Sequence, residues 1–408
     1  MECHDALLKA MDAFCEQQGF DKIYWIAYSG GLDSHVLLDL FAKIRERHSI
    51  KLHIIHINHQ LSPNAKQWAL HCKNVCAQYH LDYIEKTIDA KAVLGESPED
   101  AARQRRYQLL SKLLNANDLL LTAHQQDDQA ETVLLQLFRG AGPKGLAAMP
   151  FIKPLGKGWH MRPLLAFSRQ ELQEYALANH LQWIEDESNS NIQFTRNFLR
   201  HEIFPILKQR WPNIANTLSR TALHCAEAQQ VLTTLSWQDL VFVKGSVTNT
   251  LSIKKLKALD EVRQRYALRA WLEELHFPIP SRIKLCHIQQ EMLYARQDKR
   301  PYFTWRGIEL RRYRDDLYAI PCLSAHDPHQ VYEWDLQNPL TIPGIGVLRV
   351  EGLQGLGLGP EVKQVTIRFR HGGEKMKKYF QELGVPPWER DRVPLVYVGG
   401  RLVGVMSS

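Results

Sequence analysis

The sequence predicts an α/β protein: a doubly wound parallel sheet, followed by a helical middle domain and a small α+β domain at the carboxyl end. Three observations predict it. Over the first 140 residues, short apolar β-forming runs alternate with stretches of helical apolar spacing. That alternation gives parallel strands covered on both faces. Beyond Pro150 the alternation fades into longer helical stretches, and the chain closes on short apolar runs broken by Gly and Pro. Finally, 408 residues exceed what one ordinary core organises, so two or three domains are expected.

The elements follow in order. Residues 23–28 (IYWIAY) form a first strand, and residues 34–47 carry helical spacing at Val36, Leu37, Leu40, Phe41 and Ile44. LHIIHIN (52–58) is the second strand and 64–80 the next helix. DYIEKTI (82–88) is a third strand, and Ser97-Pro98-Glu99-Asp100 opens a helix with proline at a permitted early position. LLLTAH (119–124) is a fourth strand, followed by a helix over 127–138 that starts in acids. Further helices are read at 168–181, 213–235 and 256–276, with a polar loop at 186–197 and a turn-rich, linker-like run at 337–346. These readings divide the chain into 1–205, 206–325 and 330–408.

Composition is globular: 45% hydrophobic, 23% charged and without a fixed-period repeat, which excludes a disordered or fibrous chain. The net charge of +7 is unremarkable; its placement is informative. Residues 254–269 hold six basic and two acidic side chains, 299–314 six and one, and 363–392 eight and four. Basic clusters beside aromatics suit a polyanion with stackable bases. The seven cysteines (Cys3, Cys15, Cys72, Cys76, Cys225, Cys286 and Cys322) form no Cys-x-x-Cys pair, as expected of free thiols in a reducing compartment. No apolar run approaches 18 residues and the amino terminus lacks a signal-peptide pattern. A cytoplasmic location without a membrane is expected, and no protein partner is evident.

The strongest chemical motif is Ser29-Gly30-Gly31-Leu32-Asp33-Ser34, between the first strand and its helix. Two glycines let the backbone approach a ligand closely. The helix that follows aims free N–H groups and its positive dipole end at the loop. Asp33 would repel a bare phosphate, so it implies Mg²⁺ between the two. The loop lacks the lysine of a Walker A motif. Asp127 and Glu131, at i and i+4 after the fourth strand, share a helix face suited to Mg²⁺ or an ammonium group. His124 at that strand's tip is placed to meet a nucleotide, as is His56 at the tip of the second strand. Arg103 and Arg106, three apart, can clamp one anion.

The string SGGLDS resembles the signature of the PP-loop ATP-pyrophosphatases, of PP-loop/HUP-type fold. That resemblance implies ATP cleaved between its α and β phosphates. Further segments resemble the bacterial lysidine synthases in particular. They are His56-Ile57-Asn58-His59 (with Ser62 where the family commonly has Arg), Ala102-Arg103-Gln104-Arg105-Arg106-Tyr107, and His124-Gln125-Gln126-Asp127-Asp128-Gln129-Ala130-Glu131-Thr132. Arg139-Gly140-Ala141-Gly142-Pro143-Lys144-Gly145-Leu146, Arg162-Pro163-Leu164-Leu165, Glu185-Asp186-Glu187-Ser188-Asn189 and Thr195-Arg196-Asn197 with Arg200 also fit. Near the end stand His371-Gly372-Gly373-Glu374-Lys375, Lys377-Lys378-Tyr379-Phe380, Gly384-Val385-Pro386-Pro387-Trp388 and Arg390-Asp391-Arg392, where His371 replaces a frequent Arg.

The resemblance implies ATP with Mg²⁺, a tRNA(Ile) with a CAU anticodon and free L-lysine. The wobble cytidine is adenylated and then attacked by the lysine amine, giving lysidine, AMP and pyrophosphate. It assigns Asp33, Arg103, Arg106, Asp127 and Glu131 to catalysis, with Asp33 and Asp127 toward the metal. Ser29, Gly30, Gly31, Leu32, Asp33, Ser34, His56 and His124 hold the nucleotide. Arg139, Lys144, Arg196, Arg200, Lys375, Lys377, Lys378, an exposed Trp388 and Arg390 meet tRNA. A tRNA thiolase sharing the loop would need a catalytic cysteine pair or an iron–sulfur site, usually Cys-x-x-Cys, which this sequence lacks. A PP-loop amidotransferase would need an ammonia-producing domain, for which no nucleophile stands out. A non-catalytic tRNA-binding protein is the remaining rival, against which the intact loop and acidic motif speak.

Overall fold

The computed structural model describes residues 2–59, 62–88, 98–295, 301–354, 356–359, 361–370 and 374–406, with the side chains of 2–5, 98–100, 188–189 and 374–377 outside that description. Two compact units divide it, Met1–Val231 and Leu232–Ser408.

The first unit runs α1 (Glu2–Gln18), β1 (Ile23–Ala27), α2 (Leu32–His48), β2 (Lys51–Asn58), α3 (Ala65–Gln78), β3 (Asp82–Thr87), α4 (Pro98–Leu113), β4 (Leu119–Leu121) and α5 (Gln126–Phe138). A short α6 (Pro143–Leu146), the hairpin β5 (Ile152–Leu155) and β6 (Gly158–Met161), and α7 (Arg169–Ala178) follow. Then come α8 (Thr195–Phe198), a π-helical turn at Leu199–Ile203, α9 (Phe204–Arg210) and α10 (Ile214–Val243), which runs on into the second unit. The sheet order is β3-β2-β1-β4-β6-β5, parallel except for β5.

Side-chain alternation sends Tyr24, Ile26, Leu52, Ile54, Leu119 and Leu121 into one core with α1, α2 and α7. Trp25, Ala27, Ile55 and Leu120 enter the opposite core with Leu110 of α4 and Leu114 just beyond it. Both faces are therefore covered, as the continuous apolar runs require. Strand order reverses between β1 and β4. Open α/β sheets bind ligands beyond the strands' carboxyl ends at such a reversal.

The first four strands and the helices between them match the sequence reading. α1 and the β5–β6 hairpin are additions to it.

The second unit contains β7 (Leu251–Ser252), α11 (Ile253–Lys257), α12 (Glu261–Glu274), α13 (Arg282–Ile288), β8 (Tyr302–Trp305), β9 (Ile308–Tyr313) and β10 (Asp316–Pro321) around one core. The helix expected over 256–276 breaks at Asp260, whose carboxylate accepts from the N–H groups of Val262 and Arg263 and starts α12 afresh. The sheet β7-β10-β9-β8 adds strands to a region read as helical. A second core gathers β11 (Tyr332–Trp334), β12 (Leu340–Ile342), β13 (Gly346–Leu348), β14 (Val365–Arg368) and β15 (Leu395–Val398), with β16 (Arg401–Val405) paired to β15 and α14 (Glu374–Glu382) between β14 and β15. The run 337–346, read as linker-like, belongs to the β12–β13 hairpin. Among the described residues, no helix is long and apolar enough to cross a membrane.

Candidate active site

The glycine loop leaves β1 at the sheet reversal. Gly30 has φ +86°, and a Cβ there would stand 2.9 Å from Cys72 Sγ and 3.0 Å from Ile184 Cδ1. Only glycine takes that backbone without strain. The Ile184 amide donates to the Gly30 carbonyl at 2.9 Å, pinning the turn. Gly31 is the N-cap of α2 and supplies no side-chain cap. Ser34 Oγ donates back to the Gly31 carbonyl at 2.9 Å and lies 3.1 Å from Ser29 Oγ. The first-turn N–H groups of a 17-residue helix, with Leu32 at its start, therefore face the loop without a capping side chain. An anion is what such a helix end accepts.

His56 is buried near the end of β2, and its Nδ1 donates to the Tyr28 carbonyl at 2.9 Å, beside Ser29. It braces the loop's root. His59 is pushed down to about 4 by burial and by the charge of Arg106.

Asp33, in the first turn of α2, has a buried Oδ1 without a hydrogen-bond partner. Burial, then the negative charge of Asp128, raises its carboxyl from 3.8 to about 6, against the lowering pull of Arg169 and Arg200. A buried carboxylate oxygen that lacks a partner and is repelled by neighbouring acids calls for a cation. Among the described residues, no group of three or more His, Cys, Asp or Glu forms a ready metal cage. Mg²⁺ fits such a place, because it is commonly held by one or two carboxylates with phosphate and water completing its shell.

The acids of α5 have divided duties. Gln125 caps the helix: its side chain accepts from the Asp127 amide at 2.5 Å, while Asp128 Oδ2 accepts from the Gln125 amide at 3.1 Å. Glu131 is almost fully buried and receives Arg196 Nε at 2.7 Å and Arg200 Nε at 2.6 Å. Both arginines also reach Asp128 Oδ1 at 3.0 Å. Arg196 and Arg200, expected on tRNA, are thus committed to buried ion pairs, with Arg200 in the π-helical turn. Such turns recur at functional sites. Asp127 stays nearer the surface, where Lys208 Nζ sits 2.5 Å from Oδ1 and the Arg169 amide 3.1 Å from Oδ2.

Beside the end of β4 lies a cationic cluster. Arg103, Arg106 and Lys153 stand 5.7, 5.1 and 4.9 Å from the Tyr107 ring centre. Burial would raise the Tyr107 phenol, but the charges of Arg106, Arg103, Arg162 and Lys153 outweigh it and lower the value. Among the described residues, none of these four cations makes an ion pair. Arg162 is fully buried, held by the Pro150 carbonyl at 2.6 Å. Four unneutralised cations around one half-buried ring form an anion site. Nothing local in the sequence assigns Lys153 or Arg162 to it; Lys153 lies in β5 and Arg162 directly follows β6, and the pairing of that hairpin brings both there.

The remaining basic positions lie elsewhere. Arg139 is exposed at the end of α5 beside the exposed Phe138, and Lys144 is exposed in α6. Lys378 is exposed on α14, while the side chains of Lys375 and Lys377 lie outside the described residues. Trp388, expected to be exposed, is half-buried. It packs edge-on against Tyr318 at 5.2 Å and carries the Arg311 guanidinium over its ring at 5.4 Å. Arg390 is buried, donating to the Val385 carbonyl at 2.9 Å and the Tyr313 hydroxyl at 3.2 Å.

An uncapped helix end behind a glycine turn, an acid with one unpartnered buried oxygen and an unneutralised cation cluster, all at the sheet reversal, define a nucleotide-binding domain of the PP-loop class. The model of that domain matches residues 5–207. Models described as the TilS substrate binding domain and the TilS substrate C-terminal domain match 251–318 and 357–407. The chain belongs to the tRNA(Ile)-lysidine synthase family. It is 41% identical to the tRNA(Ile)-lysidine synthase of Coxiella burnetii over 94% of this chain and 88% of that one. The corresponding figures are 40%, 94% and 89% for the protein of Alkalilimnicola ehrlichii, and 39%, 94% and 91% for that of Escherichia coli O157:H7. Among solved structures, a U34-tRNA thiolase from Methanococcus maripaludis aligns with a TM-score of 0.47 at 16% identity, covering 55% of this chain and 80% of that one.

Proposed function

We propose that the chain performs the reaction of its family: adenylation of the wobble cytidine of a CAU-anticodon tRNA(Ile) by ATP, then ligation of L-lysine. The cytidine O2 attacks the α-phosphorus and pyrophosphate leaves. The lysine ε-amine, having lost a proton, then attacks C2, the C2–O2 bond breaks and AMP departs with O2. The observation that carries this reading is the pairing of two opposite electrostatic sets at the sheet reversal: the Asp33 carboxylate, whose Oδ1 has no hydrogen-bond partner while Oδ2 lies 4.0 Å from Arg169 Nη1, and the unpaired cations around Tyr107.

The reaction needs phosphate charge neutralised and reactants aligned more than it needs covalent partners. The uncapped amides of α2, with Ser29 and Ser34, receive pyrophosphate. Asp33 holds Mg²⁺, which when bound supplies charge neutralisation between carboxylate and phosphates. Arg103 and Arg106, joined by Lys153 and Arg162, stabilise negative charge at the α-phosphate and the adenylate. Asp127 serves either Mg²⁺ or the amine of lysine; the ammonium of Lys208, 2.5 Å from its Oδ1, favours an ammonium guest. Glu131 acts through Arg196 and Arg200, shaping the pocket that meets lysine. The part comprising 1–205 carries this chemistry, and 206–325 and 330–408 grip tRNA through Lys378 and its neighbours. Arg139 and Lys144 are placed to meet the anticodon arm. The target base must leave its stack, which a single-stranded loop permits cheaply.

The test uses a tRNA(Ile) transcript with a CAU anticodon, ATP, Mg²⁺ and labelled L-lysine. Label entering the tRNA, pyrophosphate leaving, and loss of both in Asp33→Ala or with a UAU anticodon are expected. Pyrophosphate release without lysine incorporation would retain adenylation and refute the ligation.

A further inference from the structure

The parallel pairing of β4 with β6 sets Leu120 opposite His160, and the Thr122 amide donates to the Met161 carbonyl at 3.1 Å. That register aligns four polar side chains beside the end of β4. Arg162 Nη2 is 3.4 Å from His160 Nδ1, His160 Nε2 is 2.8 Å from Thr122 Oγ1, and Thr122 Oγ1 is 2.7 Å from His124 Nδ1. Each contact has its direction fixed by the one before. A guanidinium only donates, so His160 Nδ1 accepts and a neutral His160 carries its proton on Nε2. That proton goes to Thr122 Oγ1. The hydroxyl hydrogen of Thr122 then has His124 Nδ1 as its acceptor. A neutral His124 must carry its own proton on Nε2, the ring nitrogen that bonds nothing among the described residues.

We propose that Arg162, His160 and Thr122 are positioning residues that hold His124 in the Nε2–H tautomer, a neutral hydrogen-bond donor to an oxygen of the bound nucleotide. The relay stands on geometry alone, whereas the identity of the oxygen rests on the adenylating reading above. Its surroundings keep the relay uncharged. Burial, then the charges of Arg162, Arg106, Arg196 and Arg103, drive His124 well below the usual histidine range. Burial and Arg162 bring His160 to about 2. The other titratable groups facing this face are the Tyr107 phenol, its ring 5.3 Å from that of His160, and Lys153 on β5.

A donor locked in place needs no reorganisation when negative charge gathers on a phosphate oxygen. The same tautomer denies His124 the role of general base toward the lysine amine, because its outward nitrogen already holds a proton.

The experiment is long-range ¹H–¹⁵N correlation on the full chain labelled at histidine nitrogens, with His124 assigned through His124→Gln and spectra taken from pH 6 to 8. The expected His124 pattern is an acceptor-type Nδ1 and a protonated Nε2, unchanged across that range. Thr122→Val keeps the β-branched shape and removes the hydroxyl. It should mix the tautomers and slow pyrophosphate release on the order of 10- to 100-fold in kcat, as for other groups that orient a histidine, with the KM for ATP little changed. Thr122→Ser should restore both readouts. A wild-type His124 protonated on Nδ1, or on both nitrogens, overturns the relay. The expected tautomer with undiminished pyrophosphate release in Thr122→Val overturns the donor role. Failure of the adenylating reading is separate: wild type would release no pyrophosphate, and the spectrum would be unaffected.

Discussion

Replacing Asp33 by Asn should make the ligand-free protein more stable while destroying its activity. In the folded chain the Asp33 carboxyl is raised from 3.8 to about 6 by burial and by Asp128. An acid whose folded value is raised favours folding when protonated. Its penalty is absent below the unfolded value, grows as pH rises and is complete above the folded value. The gap between 3.8 and about 6, at about 1.4 kcal/mol per pH unit, sets a ceiling of about 3 kcal/mol above pH 7. At pH 5 roughly half of that is in force. Asn keeps the size of the side chain and carries no charge, so it recovers most of the penalty. In a unit of 231 residues, about 3 kcal/mol raises the melting temperature by roughly 6–12 °C. The assay is thermal unfolding of wild type and Asp33→Asn from pH 5 to 8 in chelator, following the transition that ATP shifts in wild type. The Asn variant should gain most at pH 7.5 and about half as much at pH 5. A variant no more stable than wild type at pH 7.5, or a gain that ignores pH, would refute the reasoning.

Gly30→Ala combines a left-handed φ with a Cβ pressed on Cys72 and Ile184, and should cost about 2–4 kcal/mol and weaken ATP binding, read by denaturation and by nucleotide titration. Glu131→Ala leaves the part-buried Arg196 and Arg200 with Asp128 alone and should destabilise by about 3 kcal/mol, the low end for breaking a buried pair. Lys208→Ala breaks a half-exposed pair and should change stability by no more than about 1 kcal/mol; equal losses in paired melts would contradict this division. Lys378→Ala should weaken tRNA binding and flatten its dependence on the logarithm of salt concentration by about 0.7–0.9, measured by filter binding across a salt series.

The loop and the first four strands were legible because their signals are local. Glycines, helix starts and apolar runs act within a few residues. α1 is legible in the same way, since Leu7, Leu8, Met11, Phe14 and Cys15 repeat at helical spacing and are all buried. The break at Asp260 had its own cue, an N-cap aspartate followed by Glu261, hidden inside a longer helical pattern. The β5–β6 hairpin is too short, and too interrupted by Pro154, for periodicity to declare it. What the sequence withheld is partnership. Arg196 and Arg200 share a face at i and i+4, the spacing of two cations serving one target, but nothing local points to Glu131 rather than tRNA. The same holds for His160 and Thr122, which meet only through a parallel strand register.

The arrangement at the head of α5 bears on how inactive descendants of such a protein would look. Asp128 completes a helix cap and, with Glu131, neutralises two part-buried guanidiniums. A lineage that abandoned catalysis would still need both acids to fold, and selection would go on preserving most of the acidic signature. Asp33, by contrast, weakens the empty fold, so drift should erase it early. A relative that keeps the Asp-Asp and Glu of α5 but has lost the loop aspartate is therefore better read as a retired enzyme than as a variant of a working one.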